Sequence, residues 1–102
     1  MKSYTVYVTP VAWKEMKRLP GTMRQRVRKK VDALAEDPRP PKSKKLDVPD
    51  LQAEVWRLRL DRWRVVYAIT ENEKTVDILA VRKRPPYDYG DLEALLKDFP
   101  KK

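Results

Sequence analysis

The strongest constraint on the fold is a pair of apolar alternations that are separated only by Asp61 and Arg62. Successive side chains of a β-strand point to opposite faces of the sheet, so each alternation predicts one apolar face. A two-residue turn at Asp61-Arg62 would make the two strands a β-hairpin. This hairpin places three apolar pairs on one face: Leu60 with Trp63, Leu58 with Val65, and Trp56 with Tyr67.

The opposite face of the predicted hairpin is basic. Arg59 lies across from Arg64, and Arg57 lies across from Val66. Facing residues of antiparallel strands have Cβ atoms roughly 5 Å apart, and like charges at that separation are destabilising. The cluster therefore indicates either an anion-binding site or a solvated face on which long side chains spread apart.

The apolar pairs support this register better than the turn residues do. Asp61-Arg62 contains neither the Gly nor the Asn that two-residue hairpin turns favour. A shift by one residue would nevertheless turn the arginines toward the core, at a prohibitive burial cost. We predict strands over about Glu54–Leu60 and Trp63–Thr70, followed by a third over Thr75–Val81.

The N-terminal part of the chain predicts a strand and a helix. Apolar residues alternate over Ser3–Val8, which indicates the strand. Thr9-Pro10 then supplies an N-cap and a proline at the first helical position. Pro20-Gly21 ends this helix, whose apolar stripe is formed by Ala12, Met16 and Leu19.

A second helix follows after this short turn, which predicts an αα-hairpin. Thr22 and Gln25 have the spacing of a capping box, and the helix closes at Asp37-Pro38. Its inward positions are Met23, Val27, Val31 and Leu34.

The remaining segments complete the predicted architecture. Residues 38–50 are predicted to form a Pro-rich basic connection that is mostly solvated and held by Leu46. Asp91–Lys97 is predicted to form a short C-terminal helix. We predict one domain over residues 1–102 of the α+β class. It has a mostly antiparallel four-stranded sheet, with the helical hairpin on one face.

Composition excludes several function classes. The 102 residues include no His and no Cys, and the two serines therefore have no His to activate them. Zinc fingers, thiol redox chemistry and hydrolase triads are excluded, and we expect neither a metal nor a cofactor. The longest apolar run, residues 65–69, is far shorter than a membrane helix, and the N-terminus lacks a secretory signal. We expect a cytoplasmic protein with no membrane association.

A net charge of +9 indicates a polyanionic partner. Part of this charge lies on the predicted helices, where it is either a solvated face or a surface that tracks phosphates without reading sequence. The helix cations are Lys14, Lys17, Arg18, Arg24, Arg26, Arg28, Lys29 and Lys30.

A second basic cluster, Arg82-Lys83-Arg84, ends the last predicted strand. Pro85-Pro86 stops the sheet there, so Tyr87 and Tyr89 are expected on an extended segment. Either tyrosine could stack on an unpaired base beside an arginine-bound phosphate. Packing of one tyrosine over the sheet edge is the alternative.

The hairpin Val55–Tyr67 and the segment Ile78–Tyr89 resemble the RelE/ParE toxin superfamily, and specifically its RelE branch. The order strand, two helices, three strands matches as well, over nearly the whole chain. The resemblance implies a toxin of a type II toxin–antitoxin system that cleaves messenger RNA in the ribosomal A site. It also implies a hetero-oligomer with an acidic antitoxin.

The resemblance implies the site residues position by position. The catalytic set comprises Arg57, Arg59, Arg64, Arg84 and Tyr89, with Tyr87 as the alternative tyrosine. Residues expected to contact RNA or the ribosome are Lys44, Lys45, Arg24, Arg28, Arg82 and Tyr87.

This chain departs from the family at Arg57 and Arg59, where the family has lysines. Arginine stays protonated at any physiological pH, so these residues can bind phosphate and stabilise transition-state charge but are poor general bases. Tyr89 or Tyr87, or the RNA and ribosome themselves, are left to accept the 2′-hydroxyl proton. The alternative functions are a ParE-like gyrase inhibitor with no RNase site and a general RNA-binding module that uses the basic helices.

Overall fold

The structure is a computed structural model that describes residues 3–46 and 53–83. Within these ranges the chain forms a strand, two helices and four further strands, with a 3₁₀ turn at Glu71–Glu73 before the last strand. The bounds are β1 Thr5–Val8, α1 Pro10–Lys17, α2 Gly21–Ala33, β2 Ser43–Leu46, β3 Glu54–Leu60, β4 Trp63–Thr70 and β5 Thr75–Lys83. The predicted α+β class is confirmed. The helix predicted at Asp91–Lys97 lies outside the described residues.

Over the described residues, the sheet has five strands in the order β1-β5-β4-β3-β2. The three pairs among β2, β3, β4 and β5 are antiparallel, whereas β1 pairs with β5 in parallel. The prediction of four strands is wrong because Ser43–Leu46, expected in a solvated connection, is a strand. It pairs with β3, whose outer edge would otherwise leave backbone N–H and C=O groups without strand partners.

The predicted hairpin register is confirmed along the whole of β3 and β4, from Leu60 opposite Trp63 to Glu54 opposite Ile69. At the turn, Asp61 has a φ of 54°. Aspartate is one of the few residues other than glycine that enter this left-handed region readily. The turn therefore forms without glycine or asparagine.

A bulge in β5 decides which of its residues face β4. Val66 pairs with Ala80 and Tyr67 pairs with Ile78, so Leu79 is an extra residue on the bulged strand. Beyond the bulge, Arg82 is the residue opposite Arg64. The shift of register thus adds a basic residue to the arginine face.

The two helices begin differently. Thr9 caps α1 as predicted: its Oγ1 accepts a hydrogen bond from Ala12 N at 3.3 Å. The capping box predicted at Thr22 and Gln25 is wrong, because α2 already begins at Gly21 and Pro20 makes no side-chain cap. α2 also ends at Ala33, short of the predicted Asp37-Pro38.

Both faces of the sheet carry apolar residues. The helices cover one face with the predicted stripes, in which Ala12, Met16, Leu19, Val27, Val31 and Leu34 are buried. A smaller cluster on the other face contains Val55, Val66, Ala68, Leu79 and Ala80. The second face is therefore apolar in its middle, and its basic part is confined to the end near the β3–β4 turn. No helix among the described residues has the length and apolarity to cross a membrane.

A polar network lies at the end of the sheet away from that turn. Arg39 Nη2 lies 3.1 Å from Glu54 Oε1 and 2.9 Å from Glu71 Oε1. Glu71 also accepts hydrogen bonds from Lys74 Nζ at 2.6 Å and from the Tyr4 hydroxyl at 2.8 Å. These contacts, that of Lys74 first, lower the pKa of Glu71 to about 2. The network links the residue before β1, the segment after α2, β3 and the β4–β5 connection.

Candidate anion-binding site

Four strands bring like charges together on the face of the sheet opposite the helices. Lys44 of β2 faces Arg57 of β3, Arg59 faces Arg64 of β4, and Arg64 faces Arg82 of β5. We call these five residues the basic patch. Facing cations are normally avoided in a sheet because each such pair is destabilising. A patch built from three of them is suited to an anionic ligand.

An open cleft of about 480 Å³ lies along the β2 side of the basic patch. We call it the first cleft. Arg57 is half-buried in it and Arg59 is exposed. Its lining consists of Pro41, Lys42, Ser43, Lys44, Arg57, Arg59 and Asp61. Four of these seven residues are cations and one is an acid, so the cleft favours negatively charged groups.

Arg64 differs from its neighbours because it is buried, with 5% of its surface exposed. Its Nη1 donates hydrogen bonds to the carbonyl oxygens of Asp61 and Trp63, each at 3.0 Å. These bonds hold the left-handed turn that ends β3. Arg64 therefore sets the position of the hairpin end that carries Arg59. The sequence-based expectation had placed its guanidinium in the open with those of Arg57 and Arg59.

Arg82 lies on the patch in the strand register, but its side chain is partly neutralised. Its Nε lies 3.0 Å from Glu15 Oε2, and Glu15 Oε1 accepts a hydrogen bond from Val81 N at 2.8 Å. Glu15 of α1 thereby covers a backbone donor on the edge of β5 beyond its pairing with β1. Nothing in the local sequence signals this contact.

Asp61 is the acidic residue of the first cleft, and it is paired with a helix cation. Arg26 Nη1 donates to Asp61 Oδ2, and this hydrogen bond lowers the pKa of the Asp61 carboxyl. The contact links the β3–β4 turn to α2. Lys42, Ser43 and Arg26 were absent from the predicted site because their Pro-rich and helical segments carry no signal for proximity to β3.

The other predicted nucleic-acid contacts do not join the patch. Lys45 faces Trp56 in the strand register and so lies on the helix side of the sheet, whereas Lys44 faces Arg57. Arg24 and Arg28 are exposed on α2, across the sheet from the patch, and Arg24 Nη2 donates to Leu19 O at 3.2 Å. The expected residues Arg84, Tyr87 and Tyr89 lie outside the described residues.

The arrangement can bind phosphate and stabilise developing negative charge, since guanidinium and ammonium groups do both. A general base is not apparent among the described cleft residues. The Ser43 hydroxyl donates to Pro40 O at 2.6 Å, and Tyr67 is buried, with its pKa raised to about 12 by desolvation. Among the described residues, no three His, Cys, Asp or Glu side chains cluster so as to hold a metal ion.

Comparison with solved structures finds the same fold in several toxins. The RelE of an archaeal RelE–RelB complex from Pyrococcus horikoshii OT3 is 25% identical, with a TM-score of 0.73 over 82% of this chain and 98% of that one. A free E. coli RelE carrying two arginine-to-alanine substitutions is 25% identical, with a TM-score of 0.70 over 98% of this chain and 100% of that one. The RelBE2 toxin–antitoxin complex of Mycobacterium tuberculosis contains a chain that is 27% identical, with a TM-score of 0.68 over 82% of this chain and 94% of that one.

Fold and sequence together define the class: a toxin of the RelE/ParE superfamily. The chain belongs to the family described as the ParE toxin of type II toxin–antitoxin systems, whose model matches residues 6–85. A search of curated proteins returns no match. The predicted superfamily is thus confirmed. The family model carries the ParE name, whereas the structural relatives are RelE toxins.

Proposed function

We propose that this toxin is a ribosome-dependent endoribonuclease that cleaves messenger RNA in the A site. The observation that carries the proposal is the set of three facing like-charge pairs of the basic patch. A protein that only needed solubility would place these cations where they do not oppose one another. A phosphodiester bound over the part of the patch that lines the first cleft, Lys44, Arg57 and Arg59, offsets the repulsion among these cations.

The proposed reaction is an internal transesterification. The 2′-hydroxyl oxygen attacks the adjacent phosphorus and loses its proton to a base, while the 5′-oxygen leaves and takes up a proton. Two negative charges develop on the phosphoryl oxygens and the leaving oxygen, where Arg57 and Arg59 can bind them. Lys44 adds a further cation beside Arg57. The products are a 2′,3′-cyclic phosphate and a 5′-hydroxyl end.

Roles of the remaining residues follow from their environment and from the family resemblance. Arg64 is assigned to hold the turn, and through it Arg59, because its Nη1 bonds to two turn carbonyls. Arg84 is assigned to transition-state charge, and Tyr89 or Tyr87 to base stacking or proton transfer. The ribosome supplies whatever part of the proton transfer these tyrosines do not.

The partner proposed for the free toxin is an acidic antitoxin that forms a hetero-oligomer with it. Two of the similar structures are toxin–antitoxin complexes, the archaeal RelE–RelB complex and the mycobacterial RelBE2 complex. The basic patch and the net charge of +9 make an acidic segment electrostatically favourable here.

The test is cleavage of messenger RNA on programmed ribosomes, with the 5′ ends mapped at nucleotide resolution. The wild type is expected to cut within the A-site codon. Arg59→Ala is expected to reduce the rate by at least tenfold, whereas Arg62→Ala removes the same charge from the neighbouring turn position and leaves the rate within about twofold. Uncut messenger with the wild-type protein rejects the proposal.

Inhibition of gyrase is the second candidate function, because the family model that matches the chain is that of ParE toxins. Gyrase inhibition predicts that, when the protein is added to purified gyrase, the enzyme no longer introduces negative supercoils and DNA cleavage complexes are trapped. In that assay, Arg59→Ala and Arg62→Ala are expected to inhibit gyrase to the same extent. Simple RNA binding through α2 makes a different prediction. Removing the charges of Arg24 and Arg28 should then lower the affinity for RNA.

A further inference from the structure

A second cleft, of about 280 Å³, adjoins the first between α2 and β3. Three residues line both clefts: Pro41, Lys42 and Arg59. The two clefts therefore adjoin at these residues. The first cleft lies on the patch face of β3, whereas the second lies on the helix side, where Leu58 and Leu60 point.

The lining of the second cleft combines apolar and cationic groups. Pro40, Pro41 and the edges of Leu58 and Leu60 form its apolar part, and Arg26 and Lys30 of α2 lie on its rim. The first cleft has cations but only one apolar residue, Pro41. The rings of Pro40 and Pro41 offer an apolar surface to a nucleobase, and the two helix cations can hold a phosphate.

Arg26 is available to such a phosphate at low cost. Its present partner, Asp61, forms with it an ion pair in which both side chains are about half exposed or more. Exposed pairs of this kind contribute little to stability because solvent screens them. Lys30 is exposed on the same side of α2, four residues further on. Arg26 and Lys30 therefore lie where the phosphates of an RNA strand would pass after leaving the first cleft.

We propose that the second cleft is a nucleotide subsite for single-stranded RNA, next to the phosphate site of the first cleft. A base lies against Pro40 and Pro41, and its phosphate is bound by Lys30 and Arg26. This subsite rests on the proposed function only in taking RNA as the ligand of the first cleft. It adds a second point of contact, so RNA that spans both clefts binds more tightly than RNA that fills one.

The test measures binding of fluorescent oligonucleotides in which every 2′-hydroxyl is methylated, so that no cleavage occurs. A dinucleotide fills one cleft and a hexanucleotide spans both. Lys30→Gln is the variant, and Lys29→Gln is its matched control. Lys29 is equally exposed on the same helix and does not line either cleft. Neither side chain is in the core, so both variants are expected to fold.

Loss of one phosphate contact lowers the slope of log affinity against log salt by about 0.7 for single strands, which is about fivefold in affinity at 0.1 M salt. Lys30→Gln is therefore expected to weaken the hexanucleotide about fivefold and leave the dinucleotide within about twofold. Lys29→Gln changes neither by more than twofold. Equal effects of the two variants on the hexanucleotide overturn the subsite.

A second measurement separates a nucleotide subsite from a plain anion site. Wild-type protein is expected to bind a hexamer without bases at least about threefold more weakly than the intact hexanucleotide. Equal affinities refute the base contact. Failure of the wild type to cut messenger on ribosomes rejects the endoribonuclease while leaving these binding results unaffected, so the two proposals fail separately.

Discussion

Replacing Arg59 by glutamine is expected to change stability and RNA affinity in opposite directions. Arg59 faces buried Arg64 across the β3–β4 ladder, so its removal relieves a like-charge pair. Favourable cross-strand pairs contribute about 0.2–1 kcal/mol, and we assign a facing like-charge pair a cost of similar size. Taking about 0.5 kcal/mol for one exposed and one buried partner, Arg59→Gln raises the free energy of unfolding by that amount. For a domain of this size the melting temperature rises by about 2–4 °C.

The same substitution removes a cation that lines both clefts. One phosphate contact fewer lowers affinity for single-stranded RNA about fivefold at 0.1 M salt. The melting temperature is measured by circular dichroism. The affinity for the methylated hexanucleotide is measured by fluorescence polarisation. Arg62→Gln is the matched control, because Arg62 is an exposed turn residue that carries the same charge.

The control is expected to move the melting temperature by less than about 1 °C and the affinity by less than twofold. If Arg59→Gln destabilises the fold, or raises the melting temperature no more than Arg62→Gln does, then the facing arginines of the basic patch do not destabilise the protein. The argument for an anionic ligand would then lose its physical basis.

Three further results are expected. The pKa of Glu71 is lowered to about 2, so its carboxylate contributes stability that is present above the ordinary glutamate pKa and is lost as the pH falls toward 2. Glu71→Gln should therefore make the free energy of unfolding, measured in urea, depend less on pH between about pH 4.5 and 2. An unchanged pH dependence contradicts the network. Tyr67→Phe removes a 2.7 Å hydrogen bond to Pro38 O, which is buried, and should cost about 1–3 kcal/mol in urea unfolding; a cost below about 0.5 kcal/mol argues against this bond. Glu15→Ala exposes the Val81 amide on the edge of β5, so its hydrogen exchange should accelerate at least about tenfold; an unchanged exchange rate contradicts the protection by Glu15.

The register of the central hairpin could be predicted because it depends on local pattern. Side chains alternate with a period of two, and any slip would have buried Arg57 and Arg59. The same reasoning identified the inward stripes of both helices, since apolar spacing of three and four residues marks one helical face. Arg57 and Arg59 were thereby assigned to the correct face of the sheet before its neighbours were known.

Prediction failed where the partner of a segment is distant in sequence. Ser43–Leu46 has no strand signal of its own and becomes β2 only because the edge of β3 is beside it. This pairing puts Lys44 on the basic patch and Lys45 on the other face. The capping box at Thr22 is wrong because α2 starts at Gly21, one residue before Thr22.

The sequence by itself determined the class of fold, the hairpin and a concentration of arginine on one strand face, because charge and hydrophobic period are local properties. Tertiary structure alone decided how that charge is used. The β5 bulge brings Arg82 opposite Arg64, and the burial of Arg64 turns it from an open cation into a support for the β3–β4 turn. The pairing of β2 supplies one wall of the cleft beside Arg57. Each of these depends on contacts between residues far apart in the chain, whose energies arise only when the sheet is assembled.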